Sequence, residues 1–343
     1  MTIPSPIRRP QGINMTIVKK CGVLLCAAGF LLVAGCAGSL GVVQDRLSSA
    51  INPLTADGSG DIYQSIKDQG YNYEVPDDPN WGNHHEEKHI TREFDSFLNK
   101  TVFALHIHYN DNVKDTWVNS NARGGQINDL ANSQQVDRQR NELKTDNNSP
   151  EWGKAKRGHS VIYRWKFKLP ADLVGSSNFT HIHQLKAVGG DESQPIISLS
   201  VRKRSSGVPP QEMQLIYRYA SDSAIDRNRY LLEKILLDDF LAEWIAVEEK
   251  VTYDEENPVY EFTAVRMRDE KTLMHYVYDA NAWTEEVPFR TYRRGNNFVR
   301  PKWGIYRQIL RNEDGKMVEV VGPLHDDTVL FADIEIETFV ERR

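Results

Sequence analysis

Cysteine is nearly absent. The 343 residues hold three, Cys21, Cys26 and Cys36, all near the N-terminus. No disulfide framework staples the body of the chain, so stability has to come from a buried core, which a chain of this size can build. Glycine (22) and proline (15) are too few for a collagen-like or low-complexity polymer, and 10% aromatic residues are too many for a disordered one. A surplus of positive charge is missing as well: 42 Lys+Arg against 48 Asp+Glu give a formal net charge of −6, the wrong sign for a nucleic-acid binder. Long apolar runs are missing with one exception, residues 21–33, which is shorter than the ~20 residues a helix needs to cross a bilayer. Internal repeats are absent too.

That exceptional run follows Lys19 and Lys20 and ends in Val33-Ala34-Gly35-Cys36, the basic, apolar, small-residue order of a processing signal. It resembles a bacterial lipoprotein signal with its lipobox. The resemblance implies that residues 1–35 are removed and that Cys36 carries lipid and attaches the chain to a membrane. With Ala37 after the cysteine, it implies an outer-membrane lipoprotein, facing the periplasm or the cell surface. Removal takes away four basic residues (Arg8, Arg9, Lys19, Lys20) and no acidic one, leaving a more acidic chain. Residues 36–60 are small and polar and suit a flexible tether; residues 61–343 are expected to form a single, monomeric domain.

Within that domain, β-branched and aromatic residues alternate with polar ones over 101–108, 160–169, 179–186, 195–201, 213–219, 244–253, 259–267, 273–278, 302–309 and 329–339. Gly, Pro, Asn and Asp clusters separate these runs. Residues 231–241 are the one helix candidate of the second half, and no βαβ rhythm exists. Many strands without intervening helices predict an all-β sandwich or jelly roll of two antiparallel sheets.

Four motifs could carry chemistry. His85-Glu86-Glu87-Lys88-His89 matches HExxH, two zinc ligands one helical turn apart with a glutamate to activate water. Its surroundings lack the apolar face that such a helix buries, which favours a solvated loop. The pairs His106/His108 and His181/His183 each put two imidazoles on one strand face, and would make a metal site conceivable only if their strands were neighbours. Read as a strand, Asp137 to Thr145 sets Arg138, Arg140, Glu142 and Lys144 on one side, a row of cations around one carboxylate that can grip an anionic polymer or simply edge a sheet. The stretch from Arg300 to Arg307 likewise aligns Arg300, Lys302, Gly304 and Tyr306, and a tyrosine near a lysine gives up its proton more readily.

Arg140-Asn141-Glu142-Leu143-Lys144, Gln184-Leu185-Lys186 and Lys302-Trp303-Gly304-Ile305-Tyr306 follow one another in that order. Together they resemble the three signature strands of the jelly-roll polysaccharide lyases: family 7 alginate lyases, glucuronan lyases and the heparin lyase I group. The second motif departs, with Lys186 where those lyases have histidine, and Arg300 replaces an aromatic residue in the third. The resemblance implies a concanavalin-like jelly roll and a lyase that cleaves an acidic, uronate-containing polysaccharide by β-elimination. Tyr306 would be base and acid, with Arg140 and Gln184 neutralising the uronate carboxylate. The histidine's part falls either to Lys186 or, through a bulge, to His183. Arg138, Glu142, Lys144, Arg300, Lys302 and Arg307 would bind substrate. No cofactor or catalytic metal is required, and a structural calcium ion, as in some relatives, is left open. Two alternatives are a non-catalytic lectin of the same fold and an HExxH zinc hydrolase, since fold alone does not fix function.

Overall fold

A computed structural model describes residues 51–76, 88–108, 137–202, 211–223, 227–313, 316–319 and 325–340. The signal-like segment, Cys36, and His85, Glu86 and Glu87 of the HExxH match lie outside the described residues. Among the described residues, no helix is long and apolar enough to cross a membrane. In chain order the elements are β1 (Asn52–Leu54), α1 (Ile62–Asp68), β2 (Asn72–Glu74), β3 (Ile90–Asp95), β4 (Lys100–Ile107), β5 (Arg138–Lys144), β6 (His159–Lys168), β7 (Thr180–Val188), β8 (Ile197–Arg202), β9 (Glu212–Arg218), β10 (Asn228–Leu236), β11 (Trp244–Thr252), β12 (Val259–Arg266), β13 (Lys271–Val277), β14 (Phe298–Gln308), β15 (Leu310–Glu313), β16 (Lys316–Glu319) and β17 (Asp327–Val340).

Two antiparallel sheets make a jelly-roll sandwich. One runs β13-β12-β11-β6-β17-β4-β3 with β1 added to β17, and the other runs β10-β9-β8-β7-β14-β5-β2. Period-two alternation builds the interface between them. In β6, Val161, Tyr163, Trp165 and Phe167 are buried while the residues between them stay partly exposed. From the other sheet, Leu143, Leu185, Leu199, Val201, Leu215, Trp303 and Ile305 close the same core. The second sheet differs on its outer face: β7, β9 and β14 are buried almost throughout, although half of their residues are polar. Polar side chains shielded from water on both sides of them mark where a site is built.

Gly304 shows how tightly this sheet is drawn together. Its φ is 154°, and a Cβ there would lie 2.1 Å from the Asn141 carbonyl oxygen on β5. Neither backbone can yield without losing ladder hydrogen bonds, so Gly304→Ala should cost about 1–3 kcal/mol, the usual toll of overpacking. A urea midpoint equal to that of the unaltered protein would show that β5 gives way freely.

Two expectations are corrected. Residues 231–241 form no helix: β10 and a single 3-10 turn, Leu237–Asp239, occupy them. Register shifts against β9 at Tyr230/Leu232 and Leu232/Ile235, with Lys234 at φ 63°, break the period of two and space the apolar residues as a helix would. The tether also ends sooner than residue 60, because Asn52–Leu54 pairs with Ile334–Ile336 of β17 and Leu54 is fully buried.

Candidate active site

The outer face of β5 and β14 begins with a conflict of like charges. Register sets Lys144 opposite Lys302 and, on the other edge of β5, Glu74 opposite Glu142, two pairings that repel if left alone. They resolve each other. Glu74 accepts from Arg140 Nη1 at 2.6 Å, Lys302 Nζ at 2.7 Å and Lys144 Nζ at 2.8 Å, while Glu142 takes Lys302 Nζ at 2.7 Å and the Gln184 amide. Burial pushes the Glu74 carboxyl up, but Lys302, Arg140, Lys144 and Arg300 outweigh it and hold it well below the usual range. With Arg300 Nη2 4.0 Å from Glu74, four cations meet two carboxylates, a positive surplus. Glu74 was not anticipated from the sequence; its strand is three residues long and carries no pattern.

On β7 the two histidines part company. His181 pairs with Tyr306, and His183 with Trp303. Trp303 and Tyr306 are three residues apart and so lie on opposite faces of β14. Their partners are only two apart, and β7 reconciles this with a register shift at Ile182 that also appears against β8. The bulge exists, but the imidazole it delivers to the outer face is His181. His183 as a site residue is therefore corrected: it lies between the sheets at 1% exposure, 4.3 Å from the Trp165 ring, with Nε2 2.9 Å from Glu249 Oε2.

A cavity of about 270 Å³ opens on this face, lined by Arg138, His181, Gln184, Lys186 and Tyr306 together with residues of β8 to β10, and among the described residues no Asp or Glu lines it. Tyr306 forms one wall. Its hydroxyl accepts from Arg138 Nη1 at 3.0 Å, the Arg140 guanidinium lies 4.1 Å from its ring centroid, and Phe179 stands 5.0 Å away. Arg138 is also clasped by Asp137 at 2.7 Å. His181 Nδ1 sits 2.6 Å from Ser200 Oγ. Burial, helped by Arg202, Lys186, Lys302 and Arg140, pushes its pKa down to about 3, so the ring stays neutral. Burial, helped by Lys302 and Arg140, also draws Lys186 down to about 8.

The remaining expected residues are placed as follows. Arg140, Glu142, Lys144, Arg300 and Lys302 share the outer face but are tied into the Glu74 network and do not line the cavity. Lys302, expected to act on Tyr306, spends its ammonium on Glu74 and Glu142; the cations that touch the tyrosine are Arg138 and Arg140. Arg307 is corrected outright. One residue past Tyr306, it points inward, fully buried against Asp327, with Gln139 Oε1 at 2.8 Å and the His325 carbonyl at 2.9 Å. The His106/His108 and His181/His183 pairs belong to different sheets, and His106 is held by Thr91 and Thr328. Of the HExxH match, Lys88 pairs with Asp61, and buried His89 lies 3.2 Å from His108. Among the described residues, no group of three or more His, Cys, Asp or Glu could hold a metal ion.

No protein-family model and no curated protein matches the chain. Among solved structures it is similar to the family 7 alginate lyase A1-II′ in complex with substrate, at 11% identity over 75% of this chain and 84% of that one, TM-score 0.40. It is also similar to an alginate lyase from Pseudomonas aeruginosa, at 12% identity over 74% and 87%, TM-score 0.38, and to one from Klebsiella pneumoniae, at 9% over 71% and 83%, TM-score 0.43. The sandwich stands on its own strand order, and the reading of the cavity on its own side chains.

Proposed function

We propose that the protein is a polysaccharide lyase that cleaves a uronate-containing acidic polymer by β-elimination, with Cys36 as its lipid attachment point. The observation that supports this best is the Tyr306 hydroxyl, held by Arg138 at 3.0 Å beside a neutral His181, in a cavity whose charged lining, among the described residues, is wholly cationic. A uronate carboxylate entering there meets Gln184 and Lys186. Their hydrogen bonds and charge stabilise the enolate-like dianion formed when the C5 proton leaves, and each preorganised donor of this kind is worth roughly 3–4 kcal/mol in other enzymes. Tyr306, in its deprotonated form, takes the C5 proton. The C5–H electrons become the C4–C5 double bond, the C4–O4 bond breaks, and the same phenol returns the proton to O4. Arg138 at the oxygen and Arg140 over the ring offset the negative charge that the phenolate carries before it takes the proton and again after it has returned it. Each atom of the polymer is accounted for in the two fragments, one ending in an unsaturated sugar.

The direct test is a panel of alginate, glucuronan, ulvan and glycosaminoglycans, followed by ultraviolet absorbance of the unsaturated product. Absorbance growing with at least one polymer is expected. Binding without any such product would favour the lectin.

Lys186 gives the reading a pH signature. Its ammonium is charged below about 8 and neutral above, so attraction for the carboxylate is complete on the acid side and fades as pH rises through that value. KM should rise on the alkaline limb, and Lys186→Arg, which keeps its charge, should flatten the rise. An unchanged alkaline limb in Lys186→Arg would remove Lys186 from carboxylate binding.

A further inference from the structure

Six large apolar side chains are exposed among the described residues, and three of them, Ile51 (49%), Phe94 (63%) and Phe97 (54%), gather at one corner of the eight-stranded sheet. The corner is the turn between β3 and β4. Asp95 Oδ1 accepts from the Phe97 and Leu98 amides at 2.9 Å, Lys168 Nζ lies 3.5 Å from the other carboxylate oxygen, and Leu98 packs back on the cluster of Val102 and Trp244. A turn tied in this way holds Phe97 outward, and both rings stay in water, where apolar surface is unfavourable. The cations around it are occupied within the protein: Lys100 by Asp333, Lys168 by Asp95, and Arg92 by the carbonyls of Ala56 and Gly60. What the corner offers a partner is apolar surface.

The path of the chain selects the partner. β1 enters beside this turn: Leu54 stands level with Ile334, next to the Asp333 that holds Lys100 at the start of β4, and Ile51 is three residues, about 10 Å, from Leu54. Ile51 lies fifteen residues after Cys36, and fifteen residues reach at most about 54 Å. With Cys36 in a bilayer, the corner where the chain enters is the one that meets lipid with the least extension of that segment. We infer that Phe94, Phe97 and Ile51 dock on the bilayer surface, a second, apolar contact beside the covalent anchor. This rests on Cys36 as the lipid attachment point, but the corner itself rests on its exposed rings. Docking of this kind keeps the cleft clear of the lipid. Asn141, the neighbour of Arg140, donates to the His89 and His106 carbonyls at the far end of β3 and β4. The six residues from Lys100 to His106 span about 20 Å, so a polymer reaches the site from solution.

The experiment uses the lipidated protein in phosphatidylcholine vesicles, with the lipid on Cys36 checked by mass spectrometry. Cys21 and Cys26 leave with the signal and Cys36 is capped, so a new thiol is the only one to take a polarity-sensitive dye. Ser96→Cys puts the dye at the exposed tip of the turn with both rings intact, and Val277→Cys puts it on β13, the far edge strand of the same sheet. Blue-shifted emission, quenched by nitroxide-bearing lipid, is expected at position 96, and water-like emission at 277. Adding Phe94→Ser and Phe97→Ser should return the dye at 96 to water while the protein stays with the vesicles. Water-like emission at 96 in a lipidated, vesicle-bound protein overturns the docking and leaves the attachment standing; a chain without lipid on Cys36 overturns the attachment and the docking with it. Quenching at 96 that persists without the two rings overturns their part, since the dye alone then finds the lipid. Blue-shifted emission that lipid does not quench, with a dimer in detergent that Phe94→Ser and Phe97→Ser convert to monomer, overturns the docking by assigning the corner to a second copy of the chain.

Discussion

Tyr306→Phe is expected to abolish turnover while sparing the fold and most of the affinity. The substitution removes one oxygen. The ring keeps its place between the Arg140 guanidinium and Phe179, and Arg138 keeps its two bonds to Asp137, so no charge is orphaned. What disappears is the group proposed to take the C5 proton and return it to O4. A single general acid–base group is worth about 100- to 10,000-fold, and because one phenol serves both transfers the loss should reach the upper part of that range, in kcat more than in KM. The check is the rate of ultraviolet product formation at saturating polymer, with oligosaccharide binding measured alongside. Near-normal turnover would refute the assignment of Tyr306; loss of binding together with turnover would mean that the hydroxyl holds substrate instead of moving protons.

Much of the architecture was legible in the sequence, because a sandwich writes itself as alternation. Ten apolar–polar runs correspond to strands of the two sheets, and period two sorted Arg140, Lys302 and Tyr306 from Trp303 and Ile305 correctly. The same rule failed wherever the backbone slips by a residue. In β10 two shifts made a strand look helical. In β7 the shift at Ile182 exchanged the fates of His181 and His183, and no side-chain pattern announces a bulge in advance. Arg307 was misplaced for the opposite reason: the alternation that assigned Tyr306 to the outer face already put the next residue inside, yet its charge suggested the cleft. Glu74 was missed because it acts through neighbours distant in the chain, across two strands to Lys302. Charge balance across paired strands was the available clue for Glu74. The opposition of Lys144 and Lys302 requires an acid nearby, but the register that reveals it is a property of the folded sheet.

The misplaced histidine has its own consequence for stability. Glu249 projects from β11 into the core with no exposure, accepting from the Tyr260 hydroxyl at 2.8 Å and meeting His183 Nε2 at 2.9 Å. It thus links the eight-stranded sheet to β7 next to the bulge that presents His181. Water cannot reach this cluster, and the Trp165 and Trp303 rings flank His183 at 4.3 and 5.7 Å, so nothing can replace a lost partner. Glu249→Ala would leave both the phenol and the imidazole unpaired beside a new cavity, and each buried polar group left without its partner typically costs about 1–3 kcal/mol. A shift of that size in the urea midpoint is expected, with Glu249→Gln recovering much of it because an amide oxygen still accepts from Tyr260. The fraction of Glu249→Ala that folds should also lose turnover, since β7 without its anchor can slide the register at Ile182 and withdraw His181 from Ser200. A Glu249→Ala protein as stable as the parent would show that stacking on Trp165 and Trp303 alone holds His183 and the strand. Normal turnover in a clearly destabilised variant would separate the anchor from the site above it.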